Sequence, residues 1–243
     1  MKNTYLVVMC LLLGSVAAAQ TGAVSGTITD QAGNALAGVT VSYSRLPGFL
    51  PRTGSGPPRL SPGESYASAS ATTDTLGRQA VQGLPVGNYL VCVAAEDQPI
   101  LDPCKWSTPP PLEVTRQSTA SLDFAVQRGV FLRVRANDPK GLLPASQPSP
   151  MSPAHLIVGI IFGTGASLAA QRVSVDTGGQ DYRIAIPTGM PLQLWLVSGF
   201  VTLADQNGAP LQNVGTKIPL QAVPGVDQLF TINVTGKLIT AVQ

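Results

Sequence analysis

Charge is scarce in this sequence. Asp, Glu, Lys and Arg make up 12% of its 243 residues, and their near balance leaves a formal net charge of +2. That excludes a field able to recruit nucleic acid, and no basic stripe with interleaved aromatics supplies one locally. Histidine is scarcer: there is one, His155. A zinc site built on histidine needs at least two, and neither His-Glu-x-x-His nor a Cys-x-x-Cys pair occurs, so no metal is expected. No Gly-x-Ser-x-Gly elbow and no Gly-rich phosphate loop leading into a helix is present, so no cofactor and no catalytic residue is expected. His155 stands beside a strongly apolar run and reads as a strand-edge residue rather than the base of a Ser-His-Asp hydrolase. The Glu/Lys/Ala-rich stretches that build surface helices are missing as well.

What the chain has is turn formers. With 25 Gly, 21 Pro and 44% apolar residues, it reads as many short strands joined by corners. Its length allows one large or two small domains, each with a core of its own. The first residues, MKNTYLVVMCLLLGSVAAAQ, stand apart. Lys2 is a minimal charged start, an apolar run follows from Tyr5 to Val16, and Ala17-Ala18-Ala19 closes it with an Ala-x-Ala site. That is the pattern of a secretory signal over 1–19, cut before Gln20. The run is short for a bilayer span, so no membrane span is expected after its removal. Met9 stands before Cys10 where a lipoprotein needs a small residue. Cys10 leaves with the signal, and Cys92 and Cys104 remain in a chain sent to an oxidising compartment, where such a pair joins. A disulfide over so short a loop stabilises by roughly 3 kcal/mol on the chain-entropy account.

The mature part opens on a strand in which Val24, Gly26 and Ile28 alternate with Ser25, Thr27 and Thr29. Asp30-Gln31-Ala32-Gly33 makes a turn, and Leu36, Val39 and Val41 resume the apolar face. We read Gly26–Val41 as the first hairpin. A second block has a corner at Asp74–Gly77 and runs through Gly83-Leu84-Pro85-Val86-Gly87 into Tyr89, Val91 and Val93. In order, the motif residues are Gly26, Asp30, Gly33, Leu36, Gly38 and Val41, then Thr73, Asp74, Gly77, Arg78, Leu84, Pro85, Gly87 and Tyr89. This pattern resembles the carboxypeptidase regulatory-like domain family, with Ala35 and Val39 standing where Pro and Ala are usual. The resemblance covers roughly the first half of the mature chain and implies a transthyretin-like β-sandwich, close to carbohydrate-binding-like sandwiches. It carries over no catalytic group of the namesake carboxypeptidases.

Between the two blocks, Ser44–Ser68 is dense in Pro and Gly and reads as a long loop. It keeps large apolar and cationic side chains that a passive linker lacks, so Arg45, Phe49, Leu50, Arg52, Arg59 and Leu60 are candidate partner contacts. The second half echoes the first. Asp138–Gly141 repeats the opening corner and a Pro/Ser-rich insertion follows it. Asp176, Gly179, Pro187 and Gly189 keep the spacing of Asp74, Gly77, Pro85 and Gly87, and Asp205–Gly208 resembles the opening corner again. The run from His155 to Ala170 reads as a strand buried on both faces followed by a Gly-rich turn. The turn aspartates are explained by corner geometry, and no loop gathers enough carboxylates for calcium.

The expected fold is all-β: two tandem antiparallel β-sandwiches, transthyretin-like or Ig-like, over 20–127 and 128–243. Of the two tryptophans, Trp195 reads as core among Leu192, Leu194 and Leu196, while Trp106 packs on the disulfide or faces solvent. The functional expectation is a non-catalytic binding, adhesion or scaffolding protein, secreted, periplasmic or on the cell surface. Its partner would be another exported protein or a surface polysaccharide. A carbohydrate-binding module is the alternative, which an exposed aromatic pair on one face would mark, and a hydrolase built on His155 ranks third.

Overall fold

The computed structural model describes residues 21–46, 68–107, 112–146, 156–163, 165–212 and 214–238. The leader, the middle of the Ser44–Ser68 segment and His155 lie outside them. In the first half, strands β1 (Thr21–Asp30), β2 (Thr40–Arg45), β3 (Ser68–Thr72), β4 (Arg78–Pro85) and β5 (Gly87–Ala94) precede a single helical turn, α1 (Pro103–Trp106). Three short strands follow it, β6 (Leu112–Val114), β7 (Thr119–Ser121) and β8 (Phe124–Val126). One sheet has the order β4-β1-β7 with β8 also on β1, and the other has the order β3-β2-β5-β6. Val24 and Ile28 from β1 meet Val41 and Tyr43 from β2 and Tyr89, Val91 and Val93 from β5 in one core.

The second half comprises β9 (Val130–Asn137), β10 (Leu156–Phe162), β11 (Ala166–Ala169), β12 (Gln171–Asp176), β13 (Gly179–Ile186) and β14 (Pro191–Ser198). It ends with β15 (Val201–Asp205), β16 (Pro210–Leu211), β17 (Val214–Gln221) and β18 (Gln228–Lys237). Its sheets run β12-β13-β9-β18-β15-β16 and β11-β10-β14-β17. Alternation with period two turns Leu132, Val134, Ile160, Leu194, Leu196 and Ile232 into the space between them. Each such side chain removed from water contributes roughly 1.5–3 kcal/mol.

The chain is an all-β sandwich protein, as its composition predicts. The pairings are antiparallel with two kinds of exception: β7 and β8 run parallel to β1, and β18 runs parallel to β9. The halves also share connectivity. β1 pairs antiparallel with β4 and parallel with β8, as β9 does with β13 and β18. The run β3-β2-β5-β6 matches β11-β10-β14-β17. The two Asp corners that echo each other lead into the matching strands β4 and β13, but the first comes from β3 in the other sheet while the second closes a hairpin with β12. The insertions do not match: the first half carries its Pro-rich segment between β2 and β3, the second between β9 and β10.

The opening stretch is not a hairpin. β1 and β2 belong to different sheets, and only an isolated Thr29–Ala35 bridge links the turn back on itself. After the Asp30 turn the chain turns again at Gly38, whose φ is +71°, and crosses the sandwich with Leu36 and Val39 buried beneath. Burial of Leu36 and Val39 between the two sheets favours this crossover. At the margins of the long insertion, Ser44 and Ser68 are strand residues paired with one another.

Candidate binding surface

The motif residues hold corners. One Asp30 carboxylate oxygen accepts from the backbone N–H of Ala32 (3.0 Å) and of Asn34 (2.9 Å), while Gly33 N–H donates to the Asp30 carbonyl (2.9 Å). Asp74 repeats this with Leu76, Arg78 and Gly77, and Asp205 with Asn207, Ala209 and Gly208. A carboxylate suits the task because it accepts several N–H bonds at once. Asn34 and Arg128 also bond Asp30, and these contacts hold its carboxyl below the ordinary range, the Asn34 side chain most of all. Asp176 departs from the device: it closes a tight β12–β13 turn and accepts from Gly178 N–H at 2.7 Å. Buried Thr73 clamps the two corner segments, donating to the Leu36 carbonyl (2.6 Å) and accepting from Val39 N–H (2.9 Å). Tyr89 donates its hydroxyl to the Pro85 carbonyl at 2.7 Å, which fixes the Gly-Leu-Pro-x-Gly-x-Tyr return. Gly26 is required because a Cβ there would stand 2.1 Å from the Leu122 carbonyl oxygen where the return segment crosses β1.

Cys92 on β5 and Cys104 are joined, with Cα atoms 5.3 Å apart. Cys104 lies in α1 rather than in a loop, because Asp102 caps that turn by accepting from Cys104 N–H at 3.0 Å and Pro103 opens it. The segment closed by the bridge and the turn that follows it meet the junction and the second half. Leu101 N–H donates to the Gln127 carbonyl (2.9 Å), Gly129 N–H donates to the Pro99 carbonyl (2.7 Å), and Trp106 packs on Phe162. Between them lies a cleft of about 350 Å3, walled by Glu96, Ile100, Lys105 and Trp106 on one side and by Phe131, Gln171 and Arg183 on the other. Cys92, Asp102 and Cys104 bring their ligand atoms within 4.8 Å of one another, the geometry of a small metal group. Bonded sulphurs are not thiolates, however, and the Asp102 carboxylate is occupied in capping.

A second hollow, of about 390 Å3, lies on the outer face of the β12-β13-β9-β18 sheet. Register sets Arg183 beside Arg133 and Leu229 beyond it, and sets Asp181 beside Arg135 in the next row. Arg135 is held by Asp176 (2.7 Å) and Asp181 (3.0 Å), and its guanidinium holds the Asp176 carboxyl down at about 2. Arg133 pairs with Asp227 at 3.0 Å. Both Arg133 and Arg183 lie over the Phe131 ring, 5.5 and 4.9 Å from its centroid. On the inner face Tyr182 bonds Gln180 at 2.7 Å, and burial pushes its hydroxyl up to about 12. The sequence signal for this face is the alternation of Phe131, Arg133 and Arg135 along β9, which marks a polar outer side.

Of the candidate partner contacts, the structure describes Arg45, whose guanidinium donates to the Val86 carbonyl at 2.7 Å and so braces the return into β5. Phe49, Leu50, Arg52, Arg59 and Leu60 lie outside the described residues. Trp195 is not core. Leu192, Leu194 and Leu196 point inward, so the residue between them must point out, and Trp195 is half-buried with Gly159 and Lys217 as cross-strand neighbours. Trp106 is half-buried against Phe162, which shares the parity of the inward residues of β10, so the two indoles do not form a stacking pair on one face.

No family model matches the chain, and no curated protein matches it. Among solved structures, it is similar to a streptococcal ancillary pilin at 14% identity and TM-score 0.38, covering 89% of this chain and 63% of that one. The Bacillus anthracis TIE protein aligns at 12% identity and TM-score 0.33, over 89% of this chain and 34% of that one. A DUF3823 family protein from Bacteroides uniformis aligns at 11% identity and TM-score 0.27, over 84% of this chain and 100% of that one. The chain thus spans under two thirds of the pilin and about a third of the TIE protein. Likenesses of this size carry nothing about what the chain binds.

Proposed function

We propose that this is an exported, non-catalytic binding module for adhesion or assembly outside the cytoplasm, built from two sandwiches of the carboxypeptidase regulatory-like kind. The observation that carries the reading is how the polar groups are employed. The carboxylates of Asp30, Asp74 and Asp205 hold corners, and what remains for solvent is a cleft and a sheet face suited to contact. The Cys92–Cys104 bridge and the leader-like first residues support export. Among the described residues no helix is long and apolar enough to cross a membrane. Protein is favoured over polysaccharide as the partner, because the tryptophans do not combine into a stacking platform.

The domain boundary belongs at 127–129, where Gln127 and Gly129 bond back to the disulfide loop. Fragments 20–127 and 129–243 should then each melt cooperatively as β proteins, and an unfolded half would make the chain one continuous unit. The Ser44–Ser68 insertion remains a proposed second contact through Phe49, Leu50, Arg52, Arg59 and Leu60. Expressed from its own first residue in an exporting cell, the protein should be recovered outside the cytoplasm. Its intact mass should begin at Gln20 and be lower by two hydrogens for the bridge. Retention in the cytoplasm, or free thiols in exported material, would overturn the reading.

A further inference from the structure

The geometry points to the outer face of the β12-β13-β9-β18 sheet as a docking site for an acidic, aliphatic segment of a partner protein, with Arg183 as its anchor. The inference rests on the binding-module reading above and names the chemistry of its partner.

Three observations carry it. The first is an uncompensated charge. Arg183 and Arg133 stand directly opposite one another on adjacent strands, an arrangement that costs stability unless something offsets it. Asp227 offsets Arg133. Among the described residues no carboxylate pairs with Arg183; what holds it is the Phe131 ring, 4.9 Å away, which orients the guanidinium without neutralising it. Arg183 also lines both the sheet-face hollow and the cleft, so an incoming anion can reach it from either side.

The second is where exposed apolar surface collects. Leu229 is 77% exposed, Val226 and Val223 are each 54% exposed, and Val173 is 44% exposed. Val173 and Leu229 line the same hollow as Arg183 and Arg133, at its two sides, and Val226 adjoins Asp227 at the entrance to β18. Aliphatic patches of this sort on a soluble protein mark contact surfaces.

The third is what the combination excludes. A polysaccharide is gripped by exposed aromatic planes, whereas here Phe131 is buried beneath the two guanidiniums, Tyr182 is buried on the inner face, and Phe230 is partly buried against the core. Arginine is enriched at protein–protein contacts, and exposed aliphatic surface beside it adds area that a partner can cover. Since Arg135 is already held by two carboxylates, the acid of the partner belongs at Arg183, flanked by residues that cover Leu229 and Val173.

The test uses the full mature chain and two end-blocked peptides, Leu-Glu-Val-Glu-Leu and its Leu-Gln-Val-Gln-Leu counterpart, titrated while methyl and arginine side-chain NMR signals are followed. The acidic peptide should perturb Leu229, Val173 and the Arg183 side chain together. Arg183→Met and Leu229→Ser should each weaken it about ten-fold without lowering the melt, because each removes one anchor and neither removes a core contact. Leu76→Ser, at a position 55% exposed in the other half, should leave binding as it was. Equal binding of the Gln peptide, or no effect of Arg183→Met, overturns the proposal. So does a uronate oligosaccharide that takes the face in place of the peptide. None of these outcomes bears on export, which the mass of the secreted form decides separately.

Discussion

The indole of Trp106 stands 4.9 Å, centroid to centroid, from the ring of Phe162, the two planes inclined at 34°. Trp106 belongs to the turn that the disulfide ties to β5, and Phe162 ends β10, so the pair reaches from one half of the chain to the other. Trp106→Ala and Phe162→Ala should each destabilise the chain, and the double variant should lose less than the sum. A coupling of about 0.5–1.5 kcal/mol, measured by denaturant unfolding of all four proteins, is expected for a tilted aromatic pair. Strictly additive losses would mean that the rings do not support one another.

The bridge should matter most to the segment it closes. Replacing Cys92 and Cys104 together by Ala removes a constraint spanning 12 positions. On the chain-entropy account the loss is roughly 3 kcal/mol. Far-ultraviolet circular dichroism should keep its β signature, while amide exchange should quicken first at Leu101 and Gly129, whose N–H groups tie the disulfide loop to the Gln127–Gly129 junction. Unchanged exchange at these two amides would separate the bridge from the junction.

Asp176 carries a pH dependence of known sign. The Arg135 guanidinium, aided by the Gly178 N–H, lowers its carboxyl from 3.8 to about 2 in the folded chain. A lowered folded value means that the unfolded chain takes up the proton more readily. The stabilisation is therefore complete above about pH 4 and is lost as the pH falls toward 2. Carbon-detected NMR titration of the Asp176 carboxyl should give a midpoint near 2, and Arg135→Met should return it to the ordinary range. A wild-type midpoint near 3.8 would show that the pair does not hold in solution.

Two buried tyrosines should respond differently to loss of a hydroxyl. Tyr89 donates to the Pro85 carbonyl, so Tyr89→Phe should cost about 1 kcal/mol in unfolding free energy. The Tyr43 hydroxyl has Gln79 beside it without hydrogen-bond geometry, and burial pushes its ionisation upward. Tyr43→Phe should cost less, or stabilise, because it removes a buried polar atom that lacks a partner. The reverse order of the two losses would mean that Tyr43, not Tyr89, anchors the first core.

The corners were legible because their chemistry is local. An Asp that accepts N–H bonds from residues two and four positions on, with Gly three positions on to relax the turn, needs only five consecutive residues to be recognised. Strand 156–162 followed from a continuous run rich in Val and Ile, and the apolar faces of β1 and β5 from period two. The pairing of Cys92 with Cys104 followed from the leader-like first residues and from the count of cysteines that remain after them. None of these depends on where the rest of the chain lies.

What only the tertiary structure decided depends on register between residues far apart in the chain. Whether Asp30 opens a hairpin or a crossover is settled by which sheet buries Leu36 and Val39. That β8 and β18 run parallel to their partners depends on the chain having first crossed to the opposite sheet. The company Trp195 keeps along the chain reads as core, but the side it faces is set by the inward leucines that alternate with it. The Arg183–Arg133–Leu229 row draws on three strands whose alignment is fixed by backbone hydrogen bonds. By itself the sequence determined the turns, the strand alternation and the covalent staple, since those are short-range chemistry. Which side chains stand together on a face was decided by sheet pairing, because a register shift of one residue would turn each of them to the other side.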